Sequence, residues 1–356
     1  MMRITNSMMT QSVITNINDN MQRLSDAQEK TATGLEIQQA SDDPIAATKT
    51  LKYRSYIATI EQYQSNAADA TSWMTVTEDT LSSLTKVVKQ IRDLTSQASS
   101  GILDDTELAA VEAEVGELKT SAIEFLNTQF AGRNIFGGYA TDAEPYEETT
   151  VTDGTTTLST VEFKGGYLSL GGVVSSSVDD AALVALYNAN STGIYTSAGS
   201  QEIKYNTGYS SQTAVNVEGQ DVTGTGSGNL FDTIDKLLLG LNGDTSYKSV
   251  VVDAAGVATG VTTTDFTLDE LLDDIDANLE MISTSRSDLG ARMNYVENCT
   301  SRLASDYTTY TGLLSKNVDA NLATATTEYA TAQTIYDASL TVGAKVITKT
   351  LVDYLT

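Results

Sequence analysis

The densest run of groups that could do chemistry is a set of carboxylates: Asp269, Glu270, Asp273, Asp274 and Asp276. Oxygens of this kind bind calcium when a flexible loop folds several of them around one ion. Here Leu271, Leu272 and Ile275 interleave with the acids at helical spacing. The run therefore reads as the opening turns of a helix, where the positive end of the macrodipole stabilises negative charge. Gly224-Thr225-Gly226-Ser227-Gly228 has the glycines of a phosphate loop, but no lysine follows, so it fails that motif and reads as a loop tip. Cys299 is the only cysteine, so no disulfide can form within the chain. Its place between Val296 and Thr300 on an apolar stripe makes it a small, half-buried packing residue rather than a reactive thiol. The absence of histidine removes the commonest general base, the commonest zinc ligand and the usual neutral-pH switch. A pair of acids could still hydrolyse a glycoside, but only if two were brought to one cleft, and nothing in the spacing does that. No catalytic residue, metal site or cofactor is expected, and the chain is not expected to be an enzyme.

The elements around these groups are long helices. Ile60, Tyr63, Ala67, Ala70, Met74, Thr77, Leu81, Leu84, Val88 and Ile91 keep a 3–4 apolar beat. So do Leu272, Ile275, Leu279, Ile282, Arg286, Leu289, Met293, Val296, Thr300, Leu303, Tyr307, Tyr310 and Leu314. A spacing of about 3.5 residues keeps one seam facing a partner along the whole length, as in a coiled coil. Ser41-Asp42-Asp43-Pro44 is a helix start, with a carboxylate to cap the free N–H groups and a proline where no N–H is needed. The helix it opens runs to about Ser99, with Gly101 as the stop, roughly 80 Å at about 1.5 Å per residue. Trp73 packs along it. Asp104 and Glu107 form a capping box for the next helix, whose stripe is Leu108, Val111, Val115, Leu118, Ala122 and Phe125.

From Gly137-Gly138 the composition turns to Thr, Ser and Gly. Thr160–Lys164 and Gln201–Tyr205 alternate as strands do. Asp179–Tyr187 is a short helix followed by a loop, 230–241 is helical, and 247–265 is a hairpin turning at 254–256. The return helix begins at Leu268. The fold class expected is mainly α with an inserted β-rich domain, the amino- and carboxy-terminal segments forming a long antiparallel coiled-coil rod. The domains are 1–40 with 318–356 (terminal helices, an inner packing segment), 41–140 with 266–317 (helical rod), and 141–265 (a β-rich, acidic outer domain).

The terminal segments carry the candidate assembly interface. At the start the stripe is Ile14, Ile17, Met21, Leu24, Gln28, Thr31 and Leu35, half of it polar. At the end it is Val318, Leu322, Ala325, Tyr329, Ala332 and Tyr336, then Leu340, Ile347, Leu351 and Leu355. Such helices bury little alone, so the first is expected to be disordered in an isolated monomer and to order when packed. The interface residues proposed are Ile14, Ile17, Met21 and Leu24 with Leu340, Ile347, Leu351 and Leu355.

Charge agrees with that division. Of the formal −26, residues 141–280 hold most, with only Lys164, Lys204, Lys236 and Lys248 against many acids, while 1–60 and 331–356 balance. Neutral ends suit packing together and an acidic middle suits water. An acidic chain repels nucleic acid and anionic membrane, so neither is an expected partner. No stretch is apolar enough for a spanning helix, and Met1–Ser7 lacks the apolar core of a cleaved leader.

The terminal motifs also resemble a family. Met2-Arg3-Ile4-Thr5-Asn6-Ser7-Met8-Met9, Thr33-Gly34-Leu35-Glu36-Ile37, Ala40-Ser41-Asp42-Asp43-Pro44-Ile45-Ala46-Ala47 and Asn134-Ile135-Phe136-Gly137-Gly138-Tyr139 with Pro145-Tyr146 are similar to the amino-terminal part of the flagellin superfamily, in its hook-associated junction branch. Arg286-Ser287-Asp288-Leu289-Gly290-Ala291-Arg292-Met293-Asn294, Ser315-Lys316-Asn317-Val318-Asp319 and Leu351-Val352-Asp353-Tyr354-Leu355 match its carboxy-terminal part. Asp42, Asp43 and Pro44, with Arg286, Leu289 and Gly290, are the helix-start and rod positions carried by the match, which leaves the middle of the chain uncovered. The resemblance implies a structural adaptor where hook meets filament, outside the bacterial cell. It implies export unfolded through the flagellar secretion apparatus, a flagellar export chaperone, other copies of itself in a ring, and hook-associated protein 1 and flagellin as neighbours. The alternatives are a filament flagellin subunit and a secreted surface-binding module. The dispersed tyrosines Tyr139, Tyr146, Tyr167, Tyr187, Tyr195, Tyr205, Tyr209 and Tyr247 speak against the last. For the isolated monomer, amide exchange over residues 1–30 is expected to show little protection; persistent protection there would contradict the marginal-helix reading.

Overall fold

The computed structural model describes residues 6–152, 157–197, 199–226, 228–253 and 256–348, with only the backbone for 6, 7 and 346–348. Gly34 breaks the first helix, α1 (Asn6–Thr33), in the left-handed conformation at φ +69°. The next, α2, runs unbroken from Pro44 to Ser99. Its start is made as the sequence predicts. Asp43 Oδ1 accepts from the N–H groups of Ile45 and Ala46, at 2.9 and 3.0 Å. Asp42 instead closes the preceding turn, accepting from Gln39 and Gln38, and these two bonds hold its carboxyl below the ordinary range. Asp104 and Glu107 form the expected capping box on α3 (Asp105–Leu126).

An unexpected hairpin follows, β1 (Gln129–Phe130) and β2 (Arg133–Asn134). Its turn puts Ala131 and Gly132 at φ 51° and 76°, the two positive φ values that suit the twist of a two-residue hairpin. The insert then runs through β3 (Tyr146–Thr152), β4 (Thr157–Phe163), β5 (Gly166–Tyr167), β6 (Val174–Ser175) and α4 (Asp180–Asn190). A 3-10 turn at Ser191–Gly193 leads to β7 (Lys204–Gly208), β8 (Ser211–Ala214), α5 (Gly219–Thr223) and α6 (Leu230–Leu241). The hairpin β9 (Ser246–Val252) and β10 (Ala258–Asp265) closes it, before α7 (Leu268–Val318) and α8 (Leu322–Thr348). Sheet orders are β3-β4-β5 and β10-β9-β6, all antiparallel, with β7-β8 apart. Two expected boundaries move. The strand expected over 201–205 begins at Lys204, because the Asn216 side chain takes the Ile203 N–H and the Gln201 carbonyl ahead of any ladder. The helix capped by Asp179 continues to Asn190, past the expected end at Tyr187.

The chain divides into two compact units, residues 1–62 with 303–356, and residues 63–302. In the second unit α2 and α7 run antiparallel. Arg286 Nε bonds Glu78 Oε1 at 3.1 Å, and Arg92 Nη2 bonds Asp276 Oδ2 at 3.0 Å. The α2 stripe is as expected, with Ala67, Ala70, Met74, Leu81, Leu84, Val88 and Ile91 fully buried or nearly so. On α7 every seventh residue, Ile275, Ile282, Leu289 and Val296, is buried as expected. The alternate positions shift by one: Leu271, Asn278 and Cys299 are buried and Thr300 is exposed. The insert also covers α7, where Ser285 Oγ donates to Asp221 O and Asn278 Nδ2 donates to Thr233 Oγ1, so the covered stripe is wider than a two-helix seam. Trp73 is buried as packing, edge-on to Phe130 with ring centroids 5.8 Å apart.

Lys119 of α3 is the charged residue that the sequence gave no reason to bury. It is 5% exposed, and its Nζ bonds Asp235 Oδ1 at 2.7 Å and Glu148 Oε1 at 3.0 Å. Burial alone would push this ammonium down, but the two carboxylates outweigh it and hold the group above its ordinary range. Removing it leaves buried charge uncompensated. Lys119→Ala is therefore expected to cost about 3–5 kcal/mol, read from chemical denaturation of the full chain. A loss below about 1 kcal/mol would show that the triad is solvated like a surface pair.

Candidate assembly interface

Within the first unit the two ends of the chain lie side by side. α1 and α8 are antiparallel: Thr31 Oγ1 donates to Ala325 O at 3.3 Å, and Gly343 lies beside Val13 and Ile17 near the other end. A Cβ on Gly343 would come within 2.9 Å of Ile17 Cδ1, so the helices approach closely there. The breaks in the two segments are stitched together. Glu36 N donates to Val318 O at 2.7 Å and Ala320 N to Gly34 O at 2.8 Å, forming a short antiparallel bridge at Leu35 and Asp319. Asn317 Nδ2 bonds Ala46 O and Thr50 Oγ1, both at 2.9 Å, and Tyr310 packs on Tyr53 and Tyr56.

The inward face of α1 differs in phase from that expected, whereas α8 keeps the expected Ala325, Tyr329, Ala332 and Tyr336. On α1 the covered positions are Thr10, Val13, Ile17, Asn20, Leu24, Ala27 and Thr31. Ile17, Leu24 and Thr31 are shared with the expected stripe, whereas Ile14, Met21 and Gln28 face out. On α8 the covered positions are Ala325, Tyr329, Ala332, Tyr336, Ser339 and Gly343, and Leu322 and Leu340 are exposed. Gly343 lets α8 come close beside Val13 and Ile17, while Tyr329 and Tyr336 are half-buried on the same face of α8.

An antiparallel pair has two flanks, and both carry apolar side chains. On one, Val13, Asn16, Asn20 and Arg23 with Ile335, Ala338 and Val342 line shallow grooves. At about 100° per residue, Ile14 and Met21 lie on the other side of the α1 seam, and Leu340 lies on that same side of α8. Their exposures are 42%, 54% and 43%. Ile17 and Leu24 are thus engaged within the chain, while Ile14, Met21 and Leu340 are free to meet another molecule. Ile347 lies in α8, but its side chain, with Leu351 and Leu355, is outside the described residues.

The remaining candidates fall on the helices. Pro44 is the first residue of α2. Arg286 sits on the α2–α7 seam with Glu78, and Leu289 is fully buried there. Gly290 has open space where a Cβ would stand, so packing does not demand glycine at this position. The acidic run at 269–276 is used by the fold. Glu270 and Thr267 cap α7 reciprocally, Asp274 bonds Lys236 at 3.2 Å, and Asp276 bonds Arg92. Among the described residues no group of three or more His, Cys, Asp or Glu could hold a metal ion, and no helix is long and apolar enough to cross a membrane. Tyr146, Tyr195 and Tyr247 are spent on Phe163, Phe231 and Phe266 as internal packing.

Comparison with known proteins places this geometry. The bacterial flagellin N-terminal helical region matches residues 4–141, and the bacterial flagellin C-terminal helical region matches residues 272–355. Flagellar hook-associated protein 3 of Escherichia coli K12 is 24% identical over 339 residues, covering 95% of each chain. A flagellin of Clostridium tyrobutyricum is 24% identical over 365 residues, covering 92% of this chain and 94% of that one. Among solved structures, a flagellar hook-associated protein from Vibrio parahaemolyticus shares the fold with a TM-score of 0.55 at 18% identity, over 78% of this chain and all of that one. Hook-associated protein 3 of Legionella pneumophila shares it at 0.52 and 14%, over 74% and 97%.

Close approach at Gly343 gives a direct test of the end-to-end pairing. Gly343→Leu is expected to cost about 1–3 kcal/mol of α1–α8 packing through overpacking. Amide exchange should accelerate over residues 10–31 and stay unchanged over 81–91. Unchanged exchange in both segments would refute the close contact.

Proposed function

The chain belongs to the bacterial flagellin family, and from that premise we propose that it is a structural subunit of the flagellar axis, the adaptor at the hook–filament junction on which the filament assembles. The observation that carries this reading is the antiparallel pairing of the chain's two ends with apolar side chains left uncovered on both flanks. The two flanks differ, one grooved and one with protruding Ile14, Met21 and Leu340. Unlike surfaces on opposite sides suit contacts that repeat from copy to copy around a ring, rather than a closed two-fold dimer. Each contact is shallow, and multiplicity makes the layer strong. Full-length similarity to hook-associated protein 3 supports the junction role.

On this reading the partners are other copies of the chain, hook-associated protein 1 on one side and flagellin on the other. An export chaperone holds the carboxy-terminal helix before secretion. The chain passes the flagellar secretion channel unfolded and works outside the cell. It acts by packing and carries out no reaction. A filament subunit is the second reading, favoured by the full-length flagellin relative, and self-assembly separates the two. Purified chain alone is expected to give no long filaments under conditions that polymerise flagellin; filaments would favour the second reading.

Ile335→Asp, Leu340→Asp and Leu351→Asp are each expected to abolish incorporation into the flagellum. Thermal unfolding of residues 63–302 should be unaltered. Cells carrying these variants should show hooks without filaments and shed flagellin into the medium, as seen by electron microscopy and immunoblot. Normal filaments on cells carrying all three would remove the terminal pair from the assembly contact.

A further inference from the structure

Residues of the insert enter two hydrophobic cores, and besides β3 and β4, which each contribute to both, one short segment passes from the first to the second. Leu168 belongs to the core that includes residues of α2, α3, α6 and α7, and Leu170 to the smaller core with Val174, Leu183 and Ala258. Between them Ser169 Oγ donates to Asp232 Oδ2 at 2.7 Å. Asp232 lies in the first turn of α6, is 6% exposed, and has its backbone N–H taken by the Asn229 cap. The surroundings are tight. A Cβ on Gly172 would fall 2.0 Å from Ser169 Oγ and 2.9 Å from Asp232 Oδ2. A cavity of about 10 Å³, lined in part by Thr160, Asn229 and Asp235, adjoins the pair.

The nearby cations are engaged elsewhere. Lys119 of α3 bonds Asp235 of α6 and Glu148 of β3. Lys236, one turn along α6, bonds Asp274 of α7 and lies over the Tyr247 ring of β9. From β4 the facing polar group is the Thr160 hydroxyl, which donates to Ser169 O. The nearest acid, Asp235, has the same sign as Asp232. An ionised Asp232 would therefore be buried with a hydroxyl and an N–H but no cation of its own, an expensive state. Burial, then the charge of Asp235, pushes its carboxyl up to about 7 against the pull of Ser169, Asn229 and Lys236.

We propose that Ser169 and Asp232 form a proton-operated latch joining the two cores of the insert, shut while the carboxyl is protonated and loosened when it ionises. Ionisation draws the carboxylate toward water and releases the segment through Gly172 from α6, so that this tie between the cores loosens while the β3–β4 ladder stays paired. The protonation sites differ between the states: about 7 when shut, near the ordinary 3.8 when exposed. The latch's stabilisation is thus full below about pH 4, declines as pH rises to about 7, and is level above that.

The test uses the full chain and amide exchange, corrected for the intrinsic pH dependence of the exchange chemistry. Between pH 5 and pH 8, opening over residues 170–175 and 183–187 is expected to increase at least tenfold, since each unit within the window is a factor of ten. Residues 81–91 should not follow. Asp232→Asn, which keeps a hydrogen-bonding head group without the charge, is expected to abolish the pH dependence over 170–187. The carboxyl carbon resonance of Asp232 should titrate well above the ordinary aspartate range. The latch is overturned if Asp232→Asn keeps the wild-type pH dependence, or if that resonance titrates near 4. Should the variant fail to fold, the carboxyl titration of the wild-type chain decides alone.

Discussion

A polypeptide that leaves by one helix and returns by another can pair its ends only if both helices break at the same level. That constraint governs the first unit. The interruptions that follow α1 and precede α8, at Gly34–Asp43 and Asp319–Asn321, differ greatly in length, yet two backbone hydrogen bonds between Gly34–Glu36 and Val318–Ala320 hold them together. Gly34 supplies the positive φ that turns the chain, and Asp42 and Asp43 share the work of ending one turn and starting the next helix.

Burial separates the two units energetically. In the second unit the α2–α7 seam buries Met74, Leu81, Leu84, Val88, Ile91, Ile275, Ile282, Leu289 and Val296 almost completely. Each such side chain is worth about 1.5–3 kcal/mol relative to exposure. The α1–α8 seam offers Ala27 and Ala325 as its buried apolar residues, with Val13, Ile17, Leu24, Tyr329 and Tyr336 half-buried and Thr, Asn, Ser and Gly among them. Alanine and glycine bring backbones together but remove little apolar area from water. The terminal pair is therefore a shape that forms and a surface that remains unfinished, whereas the neighbouring seam is complete in itself.

The charged groups follow a different rule. The chain is strongly acidic, and several of its lysines and arginines hold two elements together. Lys119 joins α3, β3 and α6; Arg92 and Arg286 join α2 to α7; Arg292 donates to Asn216 O and ties α7 to the insert. With cations this scarce, some buried carboxylates have none, and Asp232 is the clearest case. Carboxylate excess on the surface keeps the middle of the chain in water, and the same excess inside makes protonation part of the packing.

Much of this was legible before any fold was known. The caps at Asp43 and Asp104, the limits of α2, α6 and α7, the hairpin over 246–265 and the buried heptads of α2 all follow from local chemistry and a period near 3.5. The helical spacing of the acids at 269–276 likewise placed them in the opening turns of α7, where Glu270 caps the helix. What the tertiary structure alone decided was phase and partnership. On α1, Ile14, Met21 and Gln28 differ by one position from Val13, Asn20 and Ala27, and a helix with apolar residues on both phases can turn either way. Pairing with α8 chose, and Gly343 brings that helix against Val13 and Ile17. Likewise nothing near Lys119, Ser169 or Asp232 in the chain announces their partners, because Glu148, Asp235 and each other are brought to them from other elements by the packing of the insert. A period is a property of one helix, and a contact belongs to two.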